Sequence, residues 1–191
     1  MTVHDPFEDE PFEQFETIHK TSSRSAEKLN IQELRQRVKH RAVSYLSRRE
    51  HSQVELKRKL IRAYNEQEFP DNDEFPSLEA LIESILTDLS LNNWQSDQRF
   101  AMQIGKTKGE RYGVARIKQT LNQQGLDKEL IDATVAELAQ SELQRAQTVW
   151  LKKFGTPPQN SADYAKQTRF MAYRGFSFDV IKKVLKGDYE D

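Results

Sequence analysis

The sequence predicts an all-α protein made of three tandem three-helix repeats. Three observations carry this. From Ile31 onward, apolar residues recur at three- and four-residue spacing, and no segment alternates apolar and polar residues as a half-buried strand would. Glycines and apolar positions also repeat at long shifts, as in arrays of packed helical units. Hydrophobic residues make up only 36% of the chain and charged residues 31%, which suits two-faced helices packed on their neighbours better than one large core.

Taken in order, residues 1 to about 30 are polar and acidic without a sustained period and read as a mobile tail, with Phe7, Phe12, Phe15 and Ile18 available for docking. Leu34, Val38, Ala42, Tyr45 and Leu46 form the first helical stripe. Ser52 opens the second helix. Ser52-Gln53-Val54-Glu55 fits a capping box, and Leu56, Leu60, Ile61 and Tyr64 share a face. Residues 65–77 form an acidic loop with Pro70 and Pro76. Ser77 caps a third helix with Leu78, Leu81, Ile82, Ile85, Leu86 and Leu89 inward; Asn92 and Asn93 close it, and Trp94 is expected in the joint between units. Ser96 or Asp97 opens a helix burying Phe100, Ala101 and Ile104, and residues 105–113 are expected as a loop. Gly113 begins a helix with Val114, Ile117 and Leu121, and Gly125 ends it as a left-handed C′ residue. Asp127 caps a helix with Leu130, Ile131, Thr134, Val135 and Leu138 inward. Leu143, Ala146, Val149, Trp150 and Phe154 belong to another. A helix from Ser161 to Arg174, Gly175, and a short last helix with Ile181, Val184 and Leu185 complete the chain.

The repeat register follows from these stripes. A shift of 50 residues places Leu121 on Met171, Gly125 on Gly175 and Ile131 on Ile181; a shift of 61 places Leu56 on Ile117 and Leu60 on Leu121; a shift of 49 places Ile82 on Ile131. The domain organisation predicted is a tail at 1–35 and repeats at 36–92, 93–140 and 141–187.

Composition excludes several functions. The absence of cysteine removes disulfides, thiolate metal sites and cysteine nucleophiles. The acidic N-terminus lacks the apolar run of a signal peptide, and no apolar segment approaches the roughly 20 residues that span a bilayer, so the expectation is a cytoplasmic monomer with no membrane contact. Gly105-Lys106-Thr107 is not a phosphate-binding loop, because Phe100 stands where the first glycine is required and no strand precedes it. Asp71-Asn72-Asp73-Glu74 has Pro76 where a calcium loop needs glycine. No catalytic set, metal site or cofactor site is expected.

The net charge of −1 conceals segregation. Residues 1–19 and 63–98 carry acids and no Lys or Arg, whereas 35–62, 99–118 and 145–186 are basic. Clustered bases are the footprint of a polyanion or an acidic protein groove. The candidate contacts are Arg48, Arg49, Lys57, Arg58, Arg99, Lys106, Lys108, Arg111 and Arg116, with Arg49 and Arg116 beside helix ends and open to an architectural role.

Three segments, AVSYLSRREHSQVELKRKL (42–60), DQRFAMQIGKTKGERYGVARIKQTLNQQG (97–125) and RFMAYRGFSFDVIKKVL (169–185), resemble in order the motifs of the RecX family, regulators of the RecA recombinase. The Asn92–Asp97 approach to the second repeat and the acidic insertion depart from the family pattern. The resemblance implies an elongated, curved, all-α, non-catalytic protein that binds in the groove of the RecA–DNA filament. There it restrains ATPase, strand-exchange and co-protease activities in recombination, repair and the SOS response. The alternative is a general helical DNA-binding module that acts without RecA.

Overall fold

The structure, a computed structural model, describes residues 30–66 and 69–187. All regular structure among them is α-helical. In chain order the helices are α1 (Ile31–Leu46), α2 (Gln53–Tyr64), α3 (Leu78–Leu91), α4 (Asp97–Gly109), α5 (Val114–Gln123), α6 (Lys128–Gln140), α7 (Glu142–Lys153), α8 (Ser161–Tyr173) and α9 (Phe178–Lys186). The expected N-terminal tail lies outside the described residues up to position 29. Residues 31–35, assigned to it above, instead form the first turn of α1, because Asn30 and Glu33 make a reciprocal capping box there.

Three hydrophobic clusters follow one another along the chain, one for each set of three helices. Leu34, Val38, Leu56, Leu60, Leu81, Ile82 and Ile85 centre the first. Phe100, Ile117, Leu121 and Ile131 centre the second. Ala146, Trp150, Met171, Ile181 and Val184 centre the third. The positions matched by long shifts are buried in register: Leu56 and Ile117, Leu121 and Met171, and the trio Ile82, Ile131 and Ile181. Each such side chain stabilises its repeat by about 1.5–3 kcal/mol. The protein is therefore a tandem array of three-helix repeats.

Helix ends follow local chemistry in most places. Ser77 and Ser96 cap α3 and α4 through their hydroxyls. After α5, Gly125 takes φ +71°, its N–H donates to Asn122 O at 3.0 Å and Leu126 N–H donates to Leu121 O at 3.4 Å, a Schellman closure. Gly175 repeats it after α8. Asn93, at φ +61°, supplies the same turn after α3 without a glycine.

Four expectations need correction. Residues 105–109 are not loop, because α4 runs through Gly105 and Gly109. A Cβ on Gly105 would lie 3.3 Å from Leu138, so this glycine serves the α4–α6 crossing; Arg145 Nη1 donates to the carbonyls of Gly109 and Tyr112 at 3.0 and 2.9 Å and fastens the end of α4. The Ser52 capping box is half formed. The hydroxyl accepts from Glu55 N–H, but the Glu55 carboxylate is taken by Arg49. Asp127 stands at the N-cap of α6 without a side-chain cap bond. Trp94 is 57% exposed rather than packed into a joint. The acidic segment before α3 is fastened to α1: Arg35 pairs with Glu74 and with Asp88, each at 3.2 Å, and lies over the Phe75 ring.

Candidate polyanion-binding surface

Two joints built on one plan connect the repeats. At the first, the N-terminus of α2 meets the turn after α5. Ser52 Oγ donates to Gln124 O at 2.9 Å, and Gln53 N–H donates to Asp97 Oδ1 at 2.8 Å. At the second, the N-terminus of α5 meets the turn after α8. Gly113 N–H donates to Arg174 O at 2.9 Å, and Val114 N–H donates to Glu142 Oε1 at 2.8 Å. In both, the first residue of the next repeat's first helix supplies a carboxylate to the N-terminus of the previous repeat's middle helix, where free N–H groups and the helix dipole favour negative charge. Glu142 is buried and also accepts from Ser177 Oγ at 3.1 Å. Glycine closes both contacts: Gly125 faces Val54, and Gly113 lies on the backbone of Gly175.

The joints and the repeats absorb part of the basic set. Arg49 makes a forked pair with Glu55 and also donates to Glu50 O. Arg99 Nε donates to Glu50 Oε1 at 2.7 Å across the first joint. Arg58 Nη2 donates to Gln123 O at 3.1 Å across the same joint. Lys57 pairs with Glu83 at 2.6 Å within the first repeat, and Arg48 also has a partner. Lys106, Lys108, Arg111 and Arg116 lie elsewhere, around the end of α4 and the start of α5.

At the second joint two of these, Lys108 and Arg116, together with Arg174, meet aromatic rings from both repeats. The Tyr112 ring has Arg174 at 5.5 Å, Arg116 at 5.8 Å and Lys108 at 5.9 Å. Arg116 also lies over Tyr173 at 5.7 Å, and Arg174 over Phe170 at 5.0 Å. Arg174 Nη1 donates to Arg111 O at 3.2 Å. Among the described residues, Lys106, Lys108, Arg116 and Arg174 make no ion pair, and ring faces rather than carboxylates hold the Lys108 ammonium and the Arg116 and Arg174 guanidinium groups. The result is a positive surface with its charge uncompensated. Behind it Arg145 donates to the carbonyls of Gly109, Tyr112 and Leu138 and to the Ser141 hydroxyl, and burial draws its pKa below the usual guanidinium range.

Tyr173, Arg174, Asp97 and Glu142 were not among the contacts expected from the sequence, where Asp97 stood only as a possible helix opener. Tyr173 and Arg174 sit beside Gly175 in the YRGF motif, so the repeat register marks their turn without assigning them a contact. Asp97 and Glu142 share a subtler signal: each is an acid at the first position of a repeat's first helix. No group of side chains that could hold a metal ion occurs among the described residues, and none of their helices is long and apolar enough to cross a membrane.

His51 lies at the first joint. It is buried, its Nδ1 stands 2.9 Å from Arg49 O, and its own carbonyl accepts from Gln95 Nε2 at 3.1 Å. Burial first, and then the Arg49 charge, hold its pKa below the usual imidazole value. The folded state thus binds a proton less readily than the unfolded chain, so protons favour unfolding. Stability is complete above an unfolded pKa of about 6.5 and falls as pH drops below it, by at most about 1.4 kcal/mol per unit. Urea unfolding between pH 7 and pH 5 is expected to show this slope, and His51→Gln is expected to flatten it. An equal slope in the variant would assign the effect elsewhere.

Comparison with known proteins places this architecture. A protein named regulatory protein RecX from Ralstonia nicotianae is 40% identical over 150 residues, covering 78% of this chain and 87% of that protein. The chain belongs to the RecX family. A second RecX regulatory protein, from Chromobacterium violaceum, is 38% identical over 154 residues, covering 81% of this chain and 92% of its own length. The second three-helix domain of RecX matches residues 96–135, and the third matches residues 140–185. The crystal structure of RecX from Lactobacillus salivarius superposes with a TM-score of 0.62 at 17% identity, covering 80% of this chain and 95% of that one. The superposition thus extends across nearly the whole of that structure, and the segments matching the family's second and third three-helix domains flank the joint that carries the basic aromatic surface.

Proposed function

We propose that this protein is a non-catalytic regulator that binds the RecA–DNA filament and restrains ATP hydrolysis, strand exchange and co-protease activity in recombination, repair and the SOS response. The observation that carries the reading is the basic surface at the second joint, where cations held by aromatic rings stand without acidic partners. Lys108 and Arg116 of that surface, with Lys106 and Arg111 beside them on the chain, are the proposed contacts within the filament groove. The paired residues Arg49, Lys57, Arg58 and Arg99 act chiefly by fixing the body that presents this surface, and Arg48 flanks them. The three-repeat layout supports the reading, because an array of short units can follow a helical groove across several subunits.

RecA-dependent ATP hydrolysis on single-stranded DNA, titrated with this protein, tests the proposal. Inhibition is expected at amounts well below one molecule per RecA. An unchanged rate together with no binding to the filament would sink it. Binding bare DNA as tightly as the filament, with a steep salt slope, would favour the DNA-binding module instead.

A further inference from the structure

We infer that Tyr173 and Arg116 form a nucleobase-stacking subsite for single-stranded nucleic acid, assembled only when the second and third repeats dock. This deepens the filament reading by naming the chemistry that one part of the surface recognises.

Tyr173 is a large aromatic side chain left 74% exposed at the last position of α8. Its ring is not idle surface, because the Arg116 guanidinium of α5 lies 5.7 Å from its centroid. Tyr112 lies beneath the same guanidinium at 5.8 Å and is shared with Arg174 and Lys108. Phe178, 65% exposed, opens α9 three residues after Gly175. A protruding ring flanked by unpaired cations offers two contacts at once. A base stacks on the ring, and the adjoining phosphate meets a guanidinium. Single-stranded chains satisfy both, because their bases are free to leave the stack. Duplex DNA presents phosphates but keeps its bases paired, and an acidic protein face would use the cations and leave the ring without a role.

The subsite draws on both repeats. Arg116 comes from the second and Tyr173 from the third, and their separation is set by the backbone contact beneath them. Ala115 N–H donates to Gly175 O at 3.2 Å, and a Cβ on Gly175 would lie 2.6 Å from the Arg116 Cβ. Arg116 is thus seated directly on the glycine that turns the chain after Tyr173.

The full chain can be tested by fluorescence anisotropy with a labelled oligothymidylate, a duplex of equal length, and heparin as a polyanion without bases. Tyr173→Ala is expected to weaken oligothymidylate binding about tenfold, within the range for loss of one stacked base. Tyr173→Phe keeps the affinity, and heparin binding stays unchanged in both variants. Arg116→Gln is expected to lower the salt slope by about one contact. Unchanged oligothymidylate binding by Tyr173→Ala would overturn the inference, as would an equal loss on heparin or wild-type preference for the duplex. Circular dichroism melting of each variant separates loss of contact from loss of fold. The ATPase titration stands apart. If the wild type fails there, the filament reading falls while the oligothymidylate result remains; if the wild type inhibits but Tyr173→Ala binds oligothymidylate normally, only the stacking subsite falls.

Discussion

A Gly113→Ala variant is expected to lose the docking of the third repeat on the second. The added Cβ would lie 2.2 Å from Gly175 O and 2.3 Å from Phe176 N. Both are backbone atoms, so no side chain can swing aside. The joint must open, and the bonds from Gly113 N–H to Arg174 O, from Val114 N–H to Glu142 and from Ala115 N–H to Gly175 O go with it. The φ of Gly113 is −75°, a value any residue adopts, so the whole effect is steric. A cost of about 3 kcal/mol, at the upper end for overpacking, is expected as a lower urea midpoint, with faster proteolysis between α6 and α7. Gly187→Ala is the control. Gly187, unlike Gly113, has a positive φ, +76°, but nothing among the described residues lies within 4 Å of its Cβ position, so only the left-handed backbone cost of about 1–2 kcal/mol applies, at the end of the last helix. An unchanged midpoint in Gly113→Ala would show that the joint is not closed in solution.

The second large effect concerns binding. Replacing Lys106, Lys108 and Arg111 together with Gln is expected to lower affinity for the RecA–DNA filament about a hundredfold near physiological salt. Each phosphate contact contributes a slope of about 0.9 in log affinity against log salt, hence about fivefold at that ionic strength. Lys106 and Arg111 are exposed and Lys108 is half-buried, so the melting temperature is expected to stay near that of the wild type. Arg99→Gln makes the instructive contrast. It removes the 2.7 Å pair with Glu50 across the first joint, so its effect should appear first in stability. Filament pull-down beside thermal melting reads both quantities. A triple variant that binds normally would remove this cluster from the contact surface.

Much of the fold was legible from short-range chemistry. Gly125 was readable as a C′ residue because a glycine follows a complete helical stripe, and its φ of +71° agrees. The matched positions Leu56 and Ile117, or Ile131 and Ile181, were readable because burial on one helix face imposes a period close to 3.6. The misreadings arose where another side chain, near or distant, overrode the local signal. Gly105 and Gly109 look like loop residues, yet they are helical because Leu138 and Arg145 from later helices need the space and the carbonyls. Glu55 fits a capping box, yet Arg49 outcompetes the amide for its carboxylate, since a charge-assisted forked pair is stronger than a neutral cap bond. The closure of α3 by Asn92 and Asn93 was read correctly, and Asn93 takes the left-handed turn usually given to glycine.

For the candidate surface the balance shifts. Charge blocks and motif order were sufficient to indicate a regulator with a basic face, because electrostatic segregation and family motifs are properties of the chain read in one dimension. Which bases face outward was decided only by tertiary contacts. Arg49 and Arg99 have carboxylates within about 3 Å, whereas Arg116 and Arg174 have ring faces instead. Phe170 is a neighbour of Arg174 on its own helix, but Arg116 and Tyr173 come from different repeats and meet because Gly113 rests on Gly175. Helix propensity, caps and amphipathic period act over a few residues, so the sequence alone carried the helices and their repeat. The free or paired state of a cation depends on atoms that the folded joints bring together.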